Sequence, residues 1–280
     1  GDATLVATAP MPTLRDLAGR VTTRVGNVLI TPRVDIGIYN RVEGLPVVFG
    51  PSLRWTASPR LEVAFDATAT LRTAREISGV RGTFGWSPRL VATRDGDQPI
   101  SVGVEIGDGV TSTADRPLRS AESSISALVF RRDQRDWYRD RATRLFASWQ
   151  PQQELTVRGS LGVSRQRSLP AVDAFSLLRG NEAWRANPLV DDGRFTTITL
   201  GAAWDTRDDT KAPREGWWLN VDARHTTSSD LSPFLLPEQI RAPLPSDGYG
   251  TLEGSFDARR YQRIDPRHSL HLRLAGEGWL

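Results

Sequence analysis

Two stretches of alternating apolar and polar residues flank a turn-rich segment between residues 194 and 228. Successive side chains of a strand point to opposite faces, so residues two positions apart share a face. The pattern predicts an antiparallel hairpin with one apolar and one polar face. The apolar face holds Ile198, Leu200, Ala202 and Trp204 in the first strand, and Trp217, Leu219, Val221 and Ala223 in the second.

The same two-residue period recurs along most of the chain and predicts about ten strands. Short turns, such as residues 56–60 and 150–153, separate some of them. Longer irregular stretches at residues 111–135, 165–194 and 226–247 separate others. Alternation of tight turns with long loops is typical of an up-and-down transmembrane β-barrel.

The residues opposite the apolar positions distinguish a barrel from a soluble sandwich of two sheets, which gives the same alternation. They include many charges, which suit a water-filled lumen better than a protein core. Tryptophans fall near predicted strand ends, where an amphipathic ring matches a lipid headgroup boundary. A transmembrane barrel is therefore the preferred interpretation, with the soluble sandwich as the alternative. The charged positions are Glu62, Asp66, Arg72, Glu105, Arg158, Asp222, Arg224, Glu253, Asp257, Arg273 and Glu277, and the tryptophans are Trp55, Trp86, Trp149, Trp204 and Trp217.

Composition excludes several other classes. No run of about 18 apolar residues could span a bilayer as a helix, and without cysteine the chain has no disulfide and no thiolate metal site. Although the pI is about 9.8, the net charge is only +3 and the arginines are interleaved with acidic residues. No nucleic-acid partner is therefore expected.

The predicted domain organisation has two parts. Residues 1–37, with a possible amphipathic helix at 14–25, are expected to be a linker or the end of an upstream region. Residues 38–280 are expected to form an outer-membrane barrel domain truncated at its C-terminus, since alternation at Leu270, Leu272 and Leu274 continues almost to the last residue.

Four short segments resemble the barrel domain of the bacterial surface antigen family, the superfamily that includes the assembly proteins BamA and TamA. They are Tyr39-Asn-Arg-Val-Glu-Gly-Leu45, Ala127-Leu-Val-Phe-Arg-Arg-Asp-Gln-Arg-Asp-Trp-Tyr138, Trp184-Arg-Ala-Asn-Pro188, and Asp205-Thr-Arg207 with Pro213 and Gly216 before a new strand. The resemblance covers residues 38–280 and implies a 16-stranded barrel in the bacterial outer membrane. The family's Arg-Gly pair in a lumen loop would lie downstream of Leu280.

The resemblance implies a role in outer-membrane protein assembly, insertion or translocation. The expected partners are outer-membrane lipid and client outer-membrane proteins, which would pair with the first strand, at about residues 41–55. Pro46 and Pro51 remove two amide donors there, which favours an edge position. The alternative is a passive pore or structural barrel, since a fold does not fix a function.

No catalytic, cofactor or metal site is predicted, and the chain is not expected to be an enzyme. His271, with Ser269 and Asp257, loosely resembles the triad of a barrel hydrolase, but polar residues of this kind are also common on lumen walls. Asp205 and Arg207 are interpreted as a charge-assisted pair that fixes the barrel rim, with Pro213 and Gly216 shaping the return turn.

Overall fold

A computed structural model describes residues 22–74, 83–113, 120–178, 181–232, 248–266 and 268–279. Twelve antiparallel strands form one sheet, and their order in the sheet is their order in the chain. The all-β, up-and-down fold predicted from the alternation is thereby confirmed, as a barrel-like sheet that is not closed. The strands are β1 Thr23–Val25, β2 Val28–Ile36, β3 Pro46–Ser58, β4 Leu61–Arg72, β5 Phe84–Arg94, β6 Ile100–Ser112, β7 Trp137–Gln152, β8 Leu155–Ser168, β9 Asp192–Asp205, β10 Gly216–Ser232, β11 Gly250–Arg263 and β12 Ser269–Trp279.

Successive connections lie at opposite ends of the sheet, because each strand runs antiparallel to the one before it. One end, which we call the loop end, holds residues 37–45 and the described parts of the connections 113–136 and 169–191. The other, which we call the turn end, holds the tight connections at residues 59–60 and 153–154 and the ten-residue loop 206–215. The long stretches predicted at residues 111–135 and 165–194 therefore belong to loop-end connections, and the turns predicted at 56–60 and 150–153 belong to the turn end, although the turn-end connection 206–215 is longer than the loop-end connection 37–45.

The two faces of the sheet differ in chemistry. On the face that we call outer, large apolar side chains are exposed, including Leu200 at 63% and Phe256 at 43%. The opposite, inner face is the concave one, since Thr113 beyond β6 lines the same cavity of about 610 Å³ as Thr199 on β9 and Glu253 on β11. A single sheet with an uncovered apolar face is not a two-sheet sandwich, so the sandwich alternative is wrong for the described residues.

The predicted count of about ten strands was too low. Strands β1 and β2 extend the sheet into residues 23–36, which were expected to be linker, so the sheet begins upstream of residue 38. The possible helix at 14–25 is wrong for Thr23–Val25, which is strand, while its first part lies outside the described residues. The alternation in β2 is obscured by Pro32, which directly faces Pro51 of β3.

Strand β3 is an internal strand and not an edge, so the edge expected at residues 41–55 is corrected. It pairs with β2 along one side and with β4 along the other. Of its two prolines, Pro46 is the first residue of the strand, and Pro51 is tolerated because Gly50 and Pro51 drop out of the pairing with β4. A side chain at Gly50 would lie only 1.8 Å from the carbonyl oxygen of Ala67, and its φ of +155° also suits glycine.

One helix, α1 (Ser120–Phe130), lies in the stretch that the sequence left irregular. Four serines weaken its helical signal, yet one of them, Ser124, donates a 3.0 Å hydrogen bond to the Ser120 carbonyl oxygen. The same hydroxyl accepts a 3.1 Å hydrogen bond from the Tyr39 amide. Contacts with the loop between β2 and β3 thus anchor α1 at the loop end.

Candidate functional site

A compact group of connections at the loop end, together with the first residue of β7, contains both clusters of buried apolar side chains in the described chain. We call it the loop cap and define it as residues 37–45, α1, residues 131–136 and the described part of 169–191. Its apolar layers contain Val42 with Trp137 and Leu169, and Tyr39 with Ala127 and Ala174. The core lies here because the sheet itself leaves its large apolar side chains exposed.

Asn40 shapes the turn at the centre of the loop cap. Its side-chain oxygen accepts hydrogen bonds from the amides of Val42 (2.9 Å) and Glu43 (2.7 Å). Two backbone hydrogen bonds of 2.9 Å join Asn40 to Gly44, where φ is +72° and glycine is favoured. The motif Asn40-Arg-Val-Glu-Gly44 is therefore a closed turn that presents Arg41 and Glu43 in opposite directions.

Arg41 is fully buried and links three segments of the loop cap. Its Nη1 donates to the carbonyl oxygens of Asp133 (3.0 Å) and Arg135 (2.7 Å) and lies 3.2 Å from the Asp133 carboxylate. Its Nη2 donates to the side-chain oxygens of Asp136 (3.3 Å) and Asn187 (3.0 Å). Burial lowers the pKa of Arg41, and the negative charge of Asp133 opposes that shift.

Glu43 points toward the sheet and pairs with Arg72 at the end of β4. The Arg72 Nε donates to Glu43 Oε1 over 2.9 Å, and both side chains are almost fully buried. Burial raises the pKa of Glu43, while the Arg72 guanidinium opposes this rise. The pair joins the turn to the sheet, since Arg72 also donates to the Phe84 carbonyl oxygen of β5 over 3.4 Å.

Asn187 joins the start of β7 to the residue that follows β8, and all three residues are buried. Its amide nitrogen donates to the carbonyl oxygens of Trp137 (2.6 Å) and Leu169 (2.7 Å), and its oxygen accepts from the Trp137 amide (2.9 Å). The Tyr39 hydroxyl donates to the carbonyl oxygen of Phe175 in the same connection. Three of the four segments in the family resemblance thus meet in the loop cap.

Arginine–carboxylate pairs line the inner face of the sheet. Arg158 of β8 reaches over β9 to Asp222 of β10, with contacts of 2.7 and 2.8 Å. Gly201 lies beneath, where a side chain would come within 2.2 Å of the Asp222 carboxylate. Arg224 and Glu253, 3.6 Å apart, lie at the cavity on this face. The inner face therefore has the polar, charge-paired character of a wall that faces water.

The residues considered for a hydrolase triad do not assemble. Ser269 Oγ and His271 Nε2 lie 3.0 Å apart, but β11 places Tyr261 opposite His271, and Asp257 opposite Ala275. Asp257 is instead paired with Arg259 and Arg273, each at 2.8 Å. No carboxylate in the described residues orients His271, so this arrangement lacks the third group that a triad requires.

The Asp205–Arg207 pair lies at the turn end, where β9 ends. Arg207 donates from Nε to Asp205 Oδ1 over 2.8 Å and from Nη2 to Asp205 Oδ2 over 2.6 Å. The Asp208 carboxylate then accepts from the amides of Arg214 (2.9 Å) and Glu215 (3.1 Å), and these hydrogen bonds lower the pKa of Asp208. We call residues 206–215 the rim loop. Its hydrogen bonds support the interpretation that Asp205 and Arg207 have a structural role in fixing this end of the sheet.

Exposed tryptophans mark both ends of the outer face. Four of them lie near the turn end, with exposures from 38% for Trp204 to 48% for Trp55. Trp86 lies near the loop end, two residues into β5. Their positions near strand ends are confirmed, and they suit the boundary of an apolar layer. The other two tryptophans at the turn end are Trp149 and Trp217.

The loop cap was not predicted from the sequence, although three of its segments are among those that carry the family resemblance. Arg41 lies in a loop and finds its partners 92 to 146 residues away, so no local spacing reveals its role.

Among the described residues, no helix has the length and apolar character to cross a membrane. Nor do they contain a cluster of three or more His, Asp or Glu suited to a metal ion.

Comparisons with protein-family models, curated proteins and solved structures give no match to this chain. The resemblance to the bacterial surface antigen family therefore stays a prediction.

Proposed function

We propose that this chain forms the wall of a β-barrel in the bacterial outer membrane, as a member of the surface antigen superfamily. The observation that carries the proposal is the contrast between the two faces of one sheet. Leu200 is 63% exposed on the outer face, while its neighbour on the inner face, Gly201, lies under the Arg158–Asp222 pair. An apolar surface of this extent is costly in water and stable in lipid.

The height of the apolar layer supports the same proposal. On β8 the outer-face apolar positions run from Leu155 to Val163, a path of about 26 Å along the strand at about 3.3 Å per residue. A transmembrane barrel has an apolar band about 25 Å tall, bordered by aromatic residues. Trp204 lies opposite Leu155 at one end of this run, and the tilt of the strand shortens its projected height.

Within this proposal, the chain acts in assembly, insertion or translocation of outer-membrane proteins. Such a role needs backbone donors and acceptors that a client strand can use. Strand β2 offers them: β1 pairs with Val28, Leu29 and Ile30, and the Thr22 hydroxyl contacts that of Thr31, so residues 32–36 have no neighbour on that side within the described part of the chain. A client strand would pair with β2 in this region, and not with β3.

The second candidate is a passive pore or structural barrel, favoured by the charge-paired inner face. The loop cap counts against a wide pore, because residues 37–45 between β2 and β3 reach across to residues 133–136 before β7. Four strands separate these attachment points along the sheet. The loop cap therefore spans the concave side at the loop end.

Solubility tests the membrane proposal. The purified chain should aggregate in water and become monodisperse only with detergent or lipid. A monodisperse monomer in detergent-free buffer would refute a lipid-facing outer surface.

Site-directed crosslinking tests the assembly role in the native protein, using the absence of cysteine from the sequence. A single cysteine at Val34 on β2 should crosslink to newly made outer-membrane proteins, while one at Val157 on the internal strand β8 should not. Equal crosslinking at both positions, or none at Val34, with unchanged levels of other outer-membrane proteins after depletion, would favour the passive barrel.

A further inference from the structure

Three arginines face one another in a row across the outer face of three neighbouring strands. Arg141 of β7 lies opposite Arg165 of β8, which lies opposite Arg194 of β9. We call these three residues the arginine row. Facing residues of antiparallel strands have Cα atoms about 4.5–5.5 Å apart, and like charges placed directly opposite are destabilising. A bound anion would remove that repulsion.

Among the described residues, Asp108 and Asp230 are the carboxylates that contact the arginine row. Asp108 lies 2.6 Å from Arg141 Nε, but it also accepts two hydrogen bonds of 2.7 Å from Arg139. Arg194 has only a loose contact of 3.8 Å with the exposed Asp230.

Two arginines remain unpaired on this surface. Arg165 and Arg167 share one face of β8, and both are exposed. Neither has an ion pair or side-chain hydrogen bond within the described ranges of the chain. Two complete guanidinium groups are therefore available to an external anion.

The arginine row borders the apolar layer at the loop end. On all three strands it shares the outer face with apolar residues, Leu145, Leu161 and Ile198, which face one another four residues further from the loop end. The row between them is Thr143, Val163 and Thr196. Positive charge thus lies at the height where an apolar layer gives way to polar headgroups, on the same surface that would contact acyl chains.

We propose that the arginine row, with Arg167, binds the phosphate-bearing headgroup of a membrane lipid. A guanidinium donates two parallel hydrogen bonds to phosphate oxygens, which lysine cannot do. The chemistry selects a lipid over free phosphate, because an apolar row of the outer face begins four residues from the arginines and can hold acyl chains. The inference rests on the proposed membrane location of the outer face.

The test is a titration of the whole chain with lipid in uncharged detergent micelles. The measured quantity is the midpoint of thermal unfolding at each lipid concentration. The probes are short-chain phosphatidic acid, short-chain phosphatidylcholine and inorganic phosphate. Phosphatidic acid should raise the midpoint at concentrations where phosphatidylcholine and inorganic phosphate do not. The double variant Arg165→Gln, Arg167→Gln should need at least roughly tenfold more phosphatidic acid for the same rise in the unfolding midpoint, because it loses charge-assisted hydrogen bonds to the phosphate.

A control for the loss of an arginine elsewhere on the sheet is Arg144→Gln, which removes one positive charge from the inner face of β7. It should respond to phosphatidic acid as the native chain does. An unchanged response in the double variant, or equal effects of phosphatidylcholine or inorganic phosphate, would overturn the lipid site. That result is distinct from failure of the membrane proposal, in which the native chain would be monodisperse in water without any detergent.

Discussion

Arg41 and Asn187, 146 residues apart in the chain, are joined by a 3.0 Å hydrogen bond between Nη2 and Oδ1 at the centre of the loop cap. Asn187 in turn holds the backbone of Trp137 and Leu169. A single guanidinium therefore connects the β2–β3 connection to the ends of β7 and β8. One buried guanidinium thus joins connections of the loop cap that are far apart in the chain.

Replacement of Arg41 by methionine should lower the free energy of unfolding by about 3–5 kcal/mol, because Asp133 would remain buried without its cation. Denaturant unfolding in detergent measures the change. Arg54→Gln is the control: it removes the same charge from an exposed pair with Glu62 and should cost less than about 1 kcal/mol. Equal losses in the two variants would contradict a structural role for Arg41.

The rim loop should depend on Arg207. Arg207→Gln removes two charge-assisted hydrogen bonds to Asp205 and should cost about 1–2 kcal/mol, since the pair is partly exposed. Arg214→Gln in the same loop should leave stability unchanged within about 0.5 kcal/mol, because only the backbone of Arg214 bonds to Asp208. A larger loss for Arg214→Gln than for Arg207→Gln would contradict the rim interpretation.

The rim loop should also loosen in acid. Hydrogen bonds from the Arg214 and Glu215 amides lower the pKa of Asp208 below 3.8. A lowered pKa means that the carboxylate stabilises the folded loop above pH 3.8, and this stabilisation is lost as pH falls through the lowered pKa. Hydrogen exchange at the Arg214 and Glu215 amides, corrected for intrinsic rates, should lose protection in that range.

Asp208→Asn provides the control for the acid effect. Its neutral amide oxygen can still accept hydrogen bonds, so protection at the two amides should be weaker at neutral pH but insensitive to acid over the same range. The same pH response in Asp208→Asn and the native chain would assign the loosening to another group.

Most of the strands were predictable because each of these carries its own signal. Ile198, Leu200 and Trp204 alternate with small or polar residues on one strand, and that period needs no tertiary information. Strand β2 was missed because Pro32 interrupts its alternation, and a proline usually argues against a strand. Pro32 fits within β2 because it faces Pro51 of β3. This pairing is known only once the register of the two strands is known.

The loop cap and the arginine row were beyond sequence reasoning for a different reason. Arg141, Arg165 and Arg194 appear as scattered charges along the chain, and only the register of β7, β8 and β9 brings them into one row. Similarly, the segment around Arg41 was recognisable as a motif, but its partners belong to distant connections. Register and long-range loop contacts follow from packing and not from local pattern.

Arginine substitutions should distinguish the two faces of β9. Leu200→Arg places a charge on the apolar outer face and should cost about 2–4 kcal/mol if it lies near the bilayer midplane. Thr199→Arg, one residue away on the inner face beside the cavity, should cost about 1 kcal/mol or less, since water can solvate the charge. Unfolding in lipid vesicles measures both, and a reversed order would contradict the assignment of the faces.

The most direct test of the lipid-facing outer surface is the accessibility of spin labels at neighbouring positions on β9. Since the chain has no cysteine, single cysteines at positions 199 and 200 can be labelled cleanly and the protein placed in bilayers. The label at position 200 should collide readily with dissolved oxygen, which concentrates in lipid, and poorly with a water-soluble nickel chelate. The label at position 199 should show the opposite preference. Equal access of the nickel chelate to both labels, or greater access at position 200, would contradict a membrane location for the outer face.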